Sequence, residues 1–230
     1  MNEVIETKEL LRLVPIFSDL NDDTLEQISH LGAQKSYPKE SLIVSENEAG
    51  TALYIIIEGK VKISRRSSDG KEVILSILGD SDFFGEMSVI DGQSRSANVV
   101  AMEDSVLLII QRSEFLELLH THPEVGIALL QELTQRLRVA DVKIKSLSLK
   151  DSDGKVATVI LQLAEDMGMI KNGIVEIEKL PFQHDLANMA GTSRETISRT
   201  LSSFEKKGLI EHEGSRLRIL NYNKFRETFS

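Results

Sequence analysis

Several things that this sequence lacks narrow its function before any motif is considered. Cysteine is absent from the 230 residues, which excludes disulfides, thiolate metal sites, iron–sulfur clusters and a cysteine nucleophile. Tryptophan is absent and aromatic residues make up only 5%, which disfavours recognition of single strands by base stacking. Lys and Arg number 27 against 36 Asp and Glu. This balance argues against a nucleic-acid binder with positive charge over its whole surface.

Long apolar runs are also missing. No run approaches the length of about 18 residues that a membrane span needs, and the acidic, polar N-terminus MNEVIETKELL is unlike a signal peptide. We therefore expect no membrane partner and a cytoplasmic location. Apolar residues still make up 41%, which is enough for a packed core in one or two domains.

The N-terminal half is predicted to contain short helices followed by many short strands. Pro15 separates two short helices within residues 6–31, and Asn21-Asp22-Asp23 is a good N-cap signal for the second. From about 35 to 112, apolar and polar residues alternate, and Ser68-Asp69-Gly70-Lys71 is typical of a hairpin turn. This pattern predicts a sandwich or barrel of antiparallel strands.

A short helix over 113–120 and then a long helix are predicted next. Pro123 is well placed to open the long helix. Apolar residues follow at spacings of three and four, which form an a/d seam: Leu130, Leu133, Leu137, Ala140, Ile144 and Leu147. The seam either packs on the strand domain of its own chain or pairs with a second copy. We expect pairing, because a helix of about 25 residues is unusually long for a domain of this size.

A polar interruption at Lys150-Asp151-Ser152-Asp153-Gly154 is the best candidate for a hinge, over 150–153. The second unit beyond it contains a pattern typical of a helix-turn-helix from Phe182 to Lys207. Gly191 makes the tight turn, and Thr192 or Ser193 caps the next helix. Ile197, Leu201 and Phe204 form one buried stripe on that helix. Its outer face near the N-terminus, where a recognition helix meets base edges, is left with Arg194, Glu195, Ser198 and Arg199.

Residues 84–97 carry the first specific signal for a ligand. Gly85 permits an unusual backbone and close approach of a ligand, and a helical turn starting there would point N–H groups at an anion. Arg95, ten residues later, could pair with phosphate oxygens at two points. The alternative is that Arg95 and Glu86 pair with each other in a pocket without a ligand.

Strand roll, ligand segment, long helix and helix-turn-helix together resemble the catabolite activator (cyclic-AMP receptor) and fumarate–nitrate regulator superfamily of bacterial transcription factors, over almost the whole chain. The resemblance implies an α+β fold: a jelly-roll-like antiparallel β-roll that binds cyclic nucleotide (1–122), a dimerisation helix (123–150) and a winged helix-turn-helix (151–230). It implies a homodimer and not an enzyme. Its partners would be double-stranded DNA and RNA polymerase.

The same resemblance implies the effector and its site. The effector would be a cyclic nucleotide, cyclic AMP with cyclic GMP as the alternative, and the protein would hold no metal, haem or iron–sulfur cluster. Gly85 and Ser96 would contact the cyclic phosphate, Arg95 would neutralise it, and Glu86 would accept a hydrogen bond from the ribose 2′-hydroxyl. The implied set is Gly85, Glu86, Met87, Ser88, Arg95, Ser96, Ala97 and Asp141. A second hypothesis is a regulator of the same fold that binds no cyclic nucleotide and is constitutive or controlled by another effector.

Ala140 and Asp141 depart from the family pattern, in which a Thr-Ser pair on the long helix contacts adenine. An ionised Asp141 only accepts hydrogen bonds, which suits the donors of guanine better than adenine. This favours cyclic GMP or a cyclic dinucleotide. Alternatively, Asp141 is solvated or pairs with Lys145 four residues on.

The resemblance also assigns the DNA-binding residues. Arg194 and Arg199 would read guanines and Glu195 a cytosine of the opposite strand, in a TGTGA-like half-site inverted about a two-fold axis. The full predicted set is Ser193, Arg194, Glu195, Thr196, Ser198, Arg199, Lys206 and Arg216. Arg216 and Arg218 in the wing are either anchors for the DNA backbone or solvated strand residues. Residues 194–226 hold 8 basic against 4 acidic side chains, which predicts a basic strip on an acidic body.

Overall fold

The computed structural model describes residues 7–171 and 173–229. The chain divides between Leu137 and Arg138 into two compact units, called here the first and the second unit. The division falls inside the long helix. The predicted helical start at residue 6 lies outside the described residues.

The first unit contains the strands and the short helices that the sequence predicts. Its elements are α1 (Thr7–Leu11), α2 (Asp22–Leu31), β1 (Ala33–Tyr37), β2 (Leu42–Val44), β3 (Ala52–Glu58), β4 (Val61–Arg66), β5 (Glu72–Leu78), β6 (Phe83–Phe84), α3 (Glu86–Asp91), β7 (Asn98–Ala101), β8 (Ser105–Gln111), α4 (Arg112–Thr121) and the start of α5 (Pro123–Leu149). Two of the predicted signals are confirmed in detail. Asn21 caps α2 by accepting a hydrogen bond from the Thr24 N–H at 2.9 Å, and Gly70 has the positive φ of 82° that the β4–β5 turn requires.

The strands of the first unit form two four-stranded antiparallel sheets, in the orders β1-β8-β3-β6 and β2-β7-β4-β5. A cluster of buried residues from both sheets, including Ile56, Val61 and Val99, fills the interior of the roll. A second cluster, which includes Phe17 and Phe115, joins the first sheet to the helices. The predicted α+β fold with an antiparallel β-roll is confirmed.

Helix α5 presents two different apolar faces. In its first turns, Val125 and Leu129 are buried against the core of the first unit, and Leu133 is partly buried there. Leu133 belongs to the predicted seam, so the seam is not one uniform face; its members Leu130, Leu137 and Ile144 are 66%, 63% and 62% exposed. The single chain therefore leaves most of the seam uncovered.

The second unit begins with the end of α5, which is followed, in the described residues, by four helices and four strands. Its elements are α6 (Ser152–Met167), β9 (Met169–Lys171), β10 (Ile174–Ile177), α7 (Gln183–Ala190), α8 (Arg194–Lys206), β11 (Ile210–Glu213), β12 (Arg216–Ile219) and α9 (Tyr222–Phe229). The sheet has the order β11-β12-β10-β9. The sequence predicts a Gly-containing β pair from Gly208 to Tyr222, and β11 and β12 form this pair. Its predicted end is wrong, because Tyr222 starts α9, whose Phe225 and Phe229 rings pack on Phe204.

The predicted hinge over 150–153 is held by hydrogen bonds within the second unit. Asp151 caps α6 by accepting from the Gly154 N–H at 2.8 Å. Lys150 Nζ donates to Thr158 Oγ1 at 3.2 Å and to the Phe229 carbonyl oxygen. Ser146, near the end of α5, donates to the same Thr158 hydroxyl at 3.1 Å. The end of α5, helix α6 and helix α9 are thus linked through the side chains of Ser146, Lys150 and Thr158.

Across the described ranges, none of the helices combines the length and the apolar character that crossing a bilayer requires.

Candidate functional site

Gly85 lies where β6 meets α3, and its backbone has the left-handed conformation (φ 87°). A Cβ at this position would lie 2.6 Å from Arg95 Nη1 and 3.0 Å from the Ala52 carbonyl oxygen. Both the conformation and the space therefore require glycine. The first N–H groups of α3 have no partners within the helix, and they follow Gly85 directly, as the sequence predicts.

Arg95 is a buried cation held by neutral groups. It is 5% exposed. Its Nη1 donates to the Gly85 carbonyl oxygen at 3.0 Å and its Nη2 to the Ala52 carbonyl oxygen at 2.7 Å. The guanidinium also lies 5.5 Å from the centre of the Tyr54 ring, which is stacked on Phe84 at 4.9 Å.

Arg95 forms no ion pair with a carboxylate in the described part of the chain, although the charge of Glu86 is near enough to interact with it. An ion pair with Glu86 was one expectation, but none forms, because Glu86 pairs with Arg136 instead. A buried charge without an ion-pair partner is costly, and besides the two carbonyl oxygens the guanidinium interacts with the Tyr54 side chain through a hydrogen bond. This combination is suited to an anion that binds beside Gly85.

Glu86 is the buried carboxylate of the site, 5% exposed. Its Oε1 lies 3.4 Å from Arg136 Nη1. Burial raises the pKa of the Glu86 carboxyl, and the positive charge of Arg136 partly offsets that rise. Arg136 also donates to the Phe83 carbonyl oxygen at 3.0 Å and to Glu132 at 2.9 Å. Sequence reasoning missed Arg136, since nothing in a charged helix distinguishes it from its neighbours.

The structure brings seven of the eight predicted ligand residues together. Gly85 caps α3, which begins with Glu86, Met87 and Ser88. Arg95, Ser96 and Ala97 lead into β7. Ser96 Oγ lies 3.7 Å from Met87 Sδ, and both side chains are exposed, whereas Ser88 and Ala97 are buried. Asp141, the eighth, lies on α5 in the second unit and is exposed. The alternative ion pair of Asp141 with Lys145 does not form among the residues that the structure describes.

The helix-turn-helix of the second unit is built as the sequence predicts. Gly191 ends α7 in the left-handed conformation (φ 59°). Ser193, rather than Thr192, caps α8, because its side chain accepts from the Thr196 N–H at 3.1 Å. The inward residues of both helices are buried: Leu186, Ala187, Met189, Ala190, Ile197, Leu201 and Phe204.

The outer face of α8 carries most of the residues predicted to contact DNA. Arg194, Glu195, Ser198, Arg199 and Lys206 are exposed. Within residues 7–171 and 173–229, no carboxylate pairs with Arg194 or Arg199. Thr196 is half-buried, with its hydroxyl 3.0 Å from Ser193 Oγ, so it helps to hold the cap.

Arg216 and Arg218 lie on one face of β12, as predicted, and both are paired. Arg216 Nε lies 2.9 Å from Glu176 Oε1. Arg218 Nη1 lies 2.5 Å from Glu211 Oε2, and its Nε lies 4.0 Å from Glu176 Oε2. The wing arginines are therefore partly neutralised by carboxylates, in contrast to those of α8.

Metal ligands do not gather anywhere in the described ranges: no group of three or more His, Cys, Asp or Glu side chains is arranged to hold an ion.

Two family models match the chain. The cyclic nucleotide-binding domain matches residues 34–122, and the Crp-like helix-turn-helix domain matches residues 154–228. With the buried cation beside Gly85 and the exposed face of α8, they define a class of protein: a DNA-binding transcription regulator with a cyclic-nucleotide-binding domain.

Similar proteins identify the family. The "CRP-like cAMP-activated global transcriptional regulator" of Mycobacterium tuberculosis is 32% identical over 92% of this chain and 94% of its own. The "Cyclic AMP receptor protein" of Thermus thermophilus is 34% identical over 85% and 88%. The structure of FixK2 from Bradyrhizobium japonicum has the same fold, with a TM-score of 0.76 at 23% identity over 86% of this chain and 98% of its own. The chain belongs to the catabolite activator and fumarate–nitrate regulator superfamily of bacterial transcription regulators.

Proposed function

We propose that the protein is a homodimeric regulator whose binding to a palindromic, TGTGA-like DNA site is controlled allosterically by a cyclic nucleotide in the β-roll. Cyclic AMP is the proposed effector, and cyclic GMP is the alternative. The protein would act in the cytoplasm, on RNA polymerase at promoters. The protein would bind its effector and DNA, and we propose no catalytic step.

The single observation that supports effector binding best is the buried charge of Arg95, which forms no ion pair with a carboxylate of the described residues. Its guanidinium is held by the carbonyl oxygens of Ala52 and Gly85 before any ligand is bound, so an arriving phosphate would meet an oriented cation. Glu86 would accept a hydrogen bond from a ribose hydroxyl. The similar proteins of M. tuberculosis and T. thermophilus carry cyclic AMP in their names.

Asp141 bears on which base is preferred. Its carboxylate is exposed and has no ion pair among the described residues, and in the proposed dimer it would reach the effector of the other subunit. An ionised carboxylate accepts only, which favours guanine over adenine at that position. The names of the relatives favour cyclic AMP instead, and calorimetric titration with both nucleotides separates the two proposals. If Asp141 reads the base, Asp141→Ala lowers the ratio of cyclic GMP to cyclic AMP affinity; an unchanged ratio contradicts this role.

The exposed seam of α5 supports the homodimer. Leu130, Leu137 and Ile144 stand at heptad-like spacing and are all more than half exposed. Apolar side chains in this pattern are stabilised by pairing with a second helix. A dimer would also present two α8 helices related by a two-fold axis. They would match an inverted repeat in the DNA, because the symmetry of such a DNA site mirrors that of the dimer.

A second candidate function is a regulator that binds no cyclic nucleotide. It is favoured by the ion pair between Glu86 and Arg136, because the carboxylate already has a partner without a ribose. Arg95 argues against this alternative, because its guanidinium forms no ion pair with a carboxylate among the described residues.

One experiment separates these functions. A duplex carrying a TGTGA-like inverted repeat is titrated with the full-length protein, alone, with cyclic AMP and with cyclic GMP. The proposal expects DNA affinity to rise with one of the nucleotides. By linkage, DNA must then raise nucleotide affinity by the same factor. Equal affinity in all three conditions would support the second candidate, and no DNA binding under any condition would contradict both.

A further inference from the structure

The face of the wing sheet formed by β10, β11 and β12 carries three carboxylates and two arginines. Strand register places Glu211 opposite Arg218 and Glu213 opposite Arg216 on β11 and β12. On the other side of β12, β10 places Glu176 opposite Arg218. Cross-strand partners share one face of a sheet. This face, which we call the wing ladder, consists of Glu176, Glu211, Glu213, Arg216 and Arg218.

Glu176 is the centre of the wing ladder. It contacts both arginines, with Oε1 at 2.9 Å from Arg216 Nε and Oε2 at 4.0 Å from Arg218 Nε. Glu211 takes a second position on Arg218 at 2.5 Å. Both guanidinium groups are therefore directed along the sheet toward carboxylates of the same chain.

The recognition helix is arranged in the opposite way. Arg194 and Arg199 are exposed on α8 and have no carboxylate partner in the part of the chain that the structure describes. The two sets of arginines therefore differ in what a DNA phosphate would have to displace: water at α8, and a carboxylate at the wing.

We propose that Glu176 and Glu211 compete with DNA phosphates for Arg216 and Arg218, so that the wing ladder weakens DNA binding by holding the wing arginines in pairs within the chain. In this role Glu176 is a negative determinant of affinity. The partner that it excludes is the DNA backbone. The ladder tunes nonspecific electrostatic attraction and leaves base reading to α8.

The physical basis is the weakness of exposed ion pairs. Such pairs add little to stability in water. A phosphate held close by α8 can therefore replace a carboxylate as the partner of a wing arginine. To do so, it must also overcome the electrostatic repulsion between its own charge and that carboxylate. Removing the charge of Glu176 removes both obstacles and leaves the strands intact. The side chain of Gln has nearly the same shape and still accepts a hydrogen bond.

The test measures the binding of Glu176→Gln to one duplex over a range of salt concentrations. We expect affinity at low salt to rise severalfold, and the slope of log K against log[salt] to steepen by about 0.9 for each wing that gains a phosphate contact. The matched control is Glu178→Gln. Glu178 lies two residues further along, is exposed, and has no ion pair in the described ranges. It removes the same charge without releasing an arginine.

A double-mutant cycle assigns the effect to Arg216. Arg216→Ala should lower DNA affinity less in the native background than in the Glu176→Gln background, where it should abolish the gain. The proposal is overturned if Glu176→Gln only matches Glu178→Gln. It is also overturned if affinity falls, since Glu176 would then position Arg216 for DNA. Equal losses from Arg216→Ala in both backgrounds overturn it as well. If the native protein fails to bind duplex DNA at all, the family function fails instead, which is a separate result.

Discussion

The guanidinium of Arg136 lies 3.4 Å from the carboxylate of Glu86. This pair joins α5 to the start of α3 within the first unit, and it places a cation of the long helix at the carboxylate proposed to hold the ribose. The Arg136 guanidinium also lies 4.4 Å from the centre of the Phe83 ring. An effector that binds Glu86 would have to share or replace the contact with Arg136. Effector binding would therefore change a contact made by α5.

The first prediction concerns pH and stability. Burial raises the pKa of Glu86 above its ordinary value of 4.5, so the folded state favours the protonated form. The resulting stabilisation is full below the ordinary pKa and is lost as the pH rises through the raised pKa. Glu86→Gln cannot ionise, so we expect its stability to fall less between pH 4.5 and 8 than that of the native protein, in denaturant titrations at several pH values.

The matched control for this prediction is Glu117→Gln, an exposed glutamate on α4, which should follow the native pH dependence. Some slope remains in Glu86→Gln, since burial also raises the pKa of Asp82. Parallel curves for the native protein and Glu86→Gln would contradict the assignment of the slope to Glu86.

The second prediction concerns Arg95. Arg95→Gln removes the charge and the fork of donors proposed to hold the cyclic phosphate. Hydrogen bonds to charged groups contribute about 1.5–3 kcal/mol each, so we expect the affinity for the nucleotide to fall by about 100-fold or more in calorimetric titration. Arg95→Lys keeps the charge but not the planar fork of donors. Its nucleotide affinity should lie between those of the native protein and Arg95→Gln.

Arg65→Gln is the control for Arg95→Gln. Arg65 is exposed and pairs with Glu46 at 2.7 Å, so its loss should leave nucleotide affinity unchanged. Because Arg95 also holds two backbone carbonyl oxygens, thermal melting of each variant without nucleotide checks that the roll still folds. A folded Arg95→Gln protein with native affinity would rule out a role for Arg95 in effector binding.

Much of this architecture was predictable from local patterns. The alternation of residues 35–112, the cap at Asn21 and the positive φ of Gly70 and Gly191 depend on neighbouring residues alone, so a sequence displays them. Gly85 and Arg95 were likewise predicted as a pair. Helix α9 had a usable signal as well, since Tyr222, Phe225 and Phe229 recur at helical spacing.

Other features depend on how distant strands and helices pack. The contact of Arg136 with Glu86 joins residues fifty positions apart, and no periodicity specifies it. The wing ladder requires β12 to lie between β11 and β10, and only that strand order places Glu176 beside Arg216. The wing arginines have carboxylate partners, and those of α8 have none among the described residues. This difference depends on tertiary structure, so the sequence alone does not show it.

The third prediction concerns the seam of α5. Leu137 is 63% exposed in the single chain, so Leu137→Glu should leave the fold of each chain intact. In a dimer joined through this seam, the change removes the burial of one leucine per copy, about 1.5–3 kcal/mol each, and places like charges near each other. We expect the protein to shift toward monomer in analytical ultracentrifugation.

Leu13→Glu is the matched control, because Leu13 is 65% exposed on a different part of the first unit. It should leave the association state unchanged. A Leu137→Glu protein that sediments as the native protein does would exclude this part of α5 from the interface.

The fourth prediction separates base reading from phosphate contact on α8. Arg194 is exposed on the outer face near the N-terminus of α8, where recognition helices meet base edges. Arg194→Ala should cost about 1–3 kcal/mol of DNA-binding free energy and relax specificity at one base pair. Lys206→Ala, at the other end of the helix, should weaken binding to all sequences alike and reduce the salt slope by about 1.

Competition binding against a set of duplexes with single changes in the half-site distinguishes these results. Under the proposal, Arg194→Ala flattens the differences among duplexes at one position, whereas Lys206→Ala preserves every difference. Ser202→Ala serves as a neutral reference, since Ser202 is exposed on the same helix and carries no charge. If Arg194→Ala instead weakened every duplex equally, Arg194 would be a phosphate contact, and base reading would have to lie with Glu195 and Arg199.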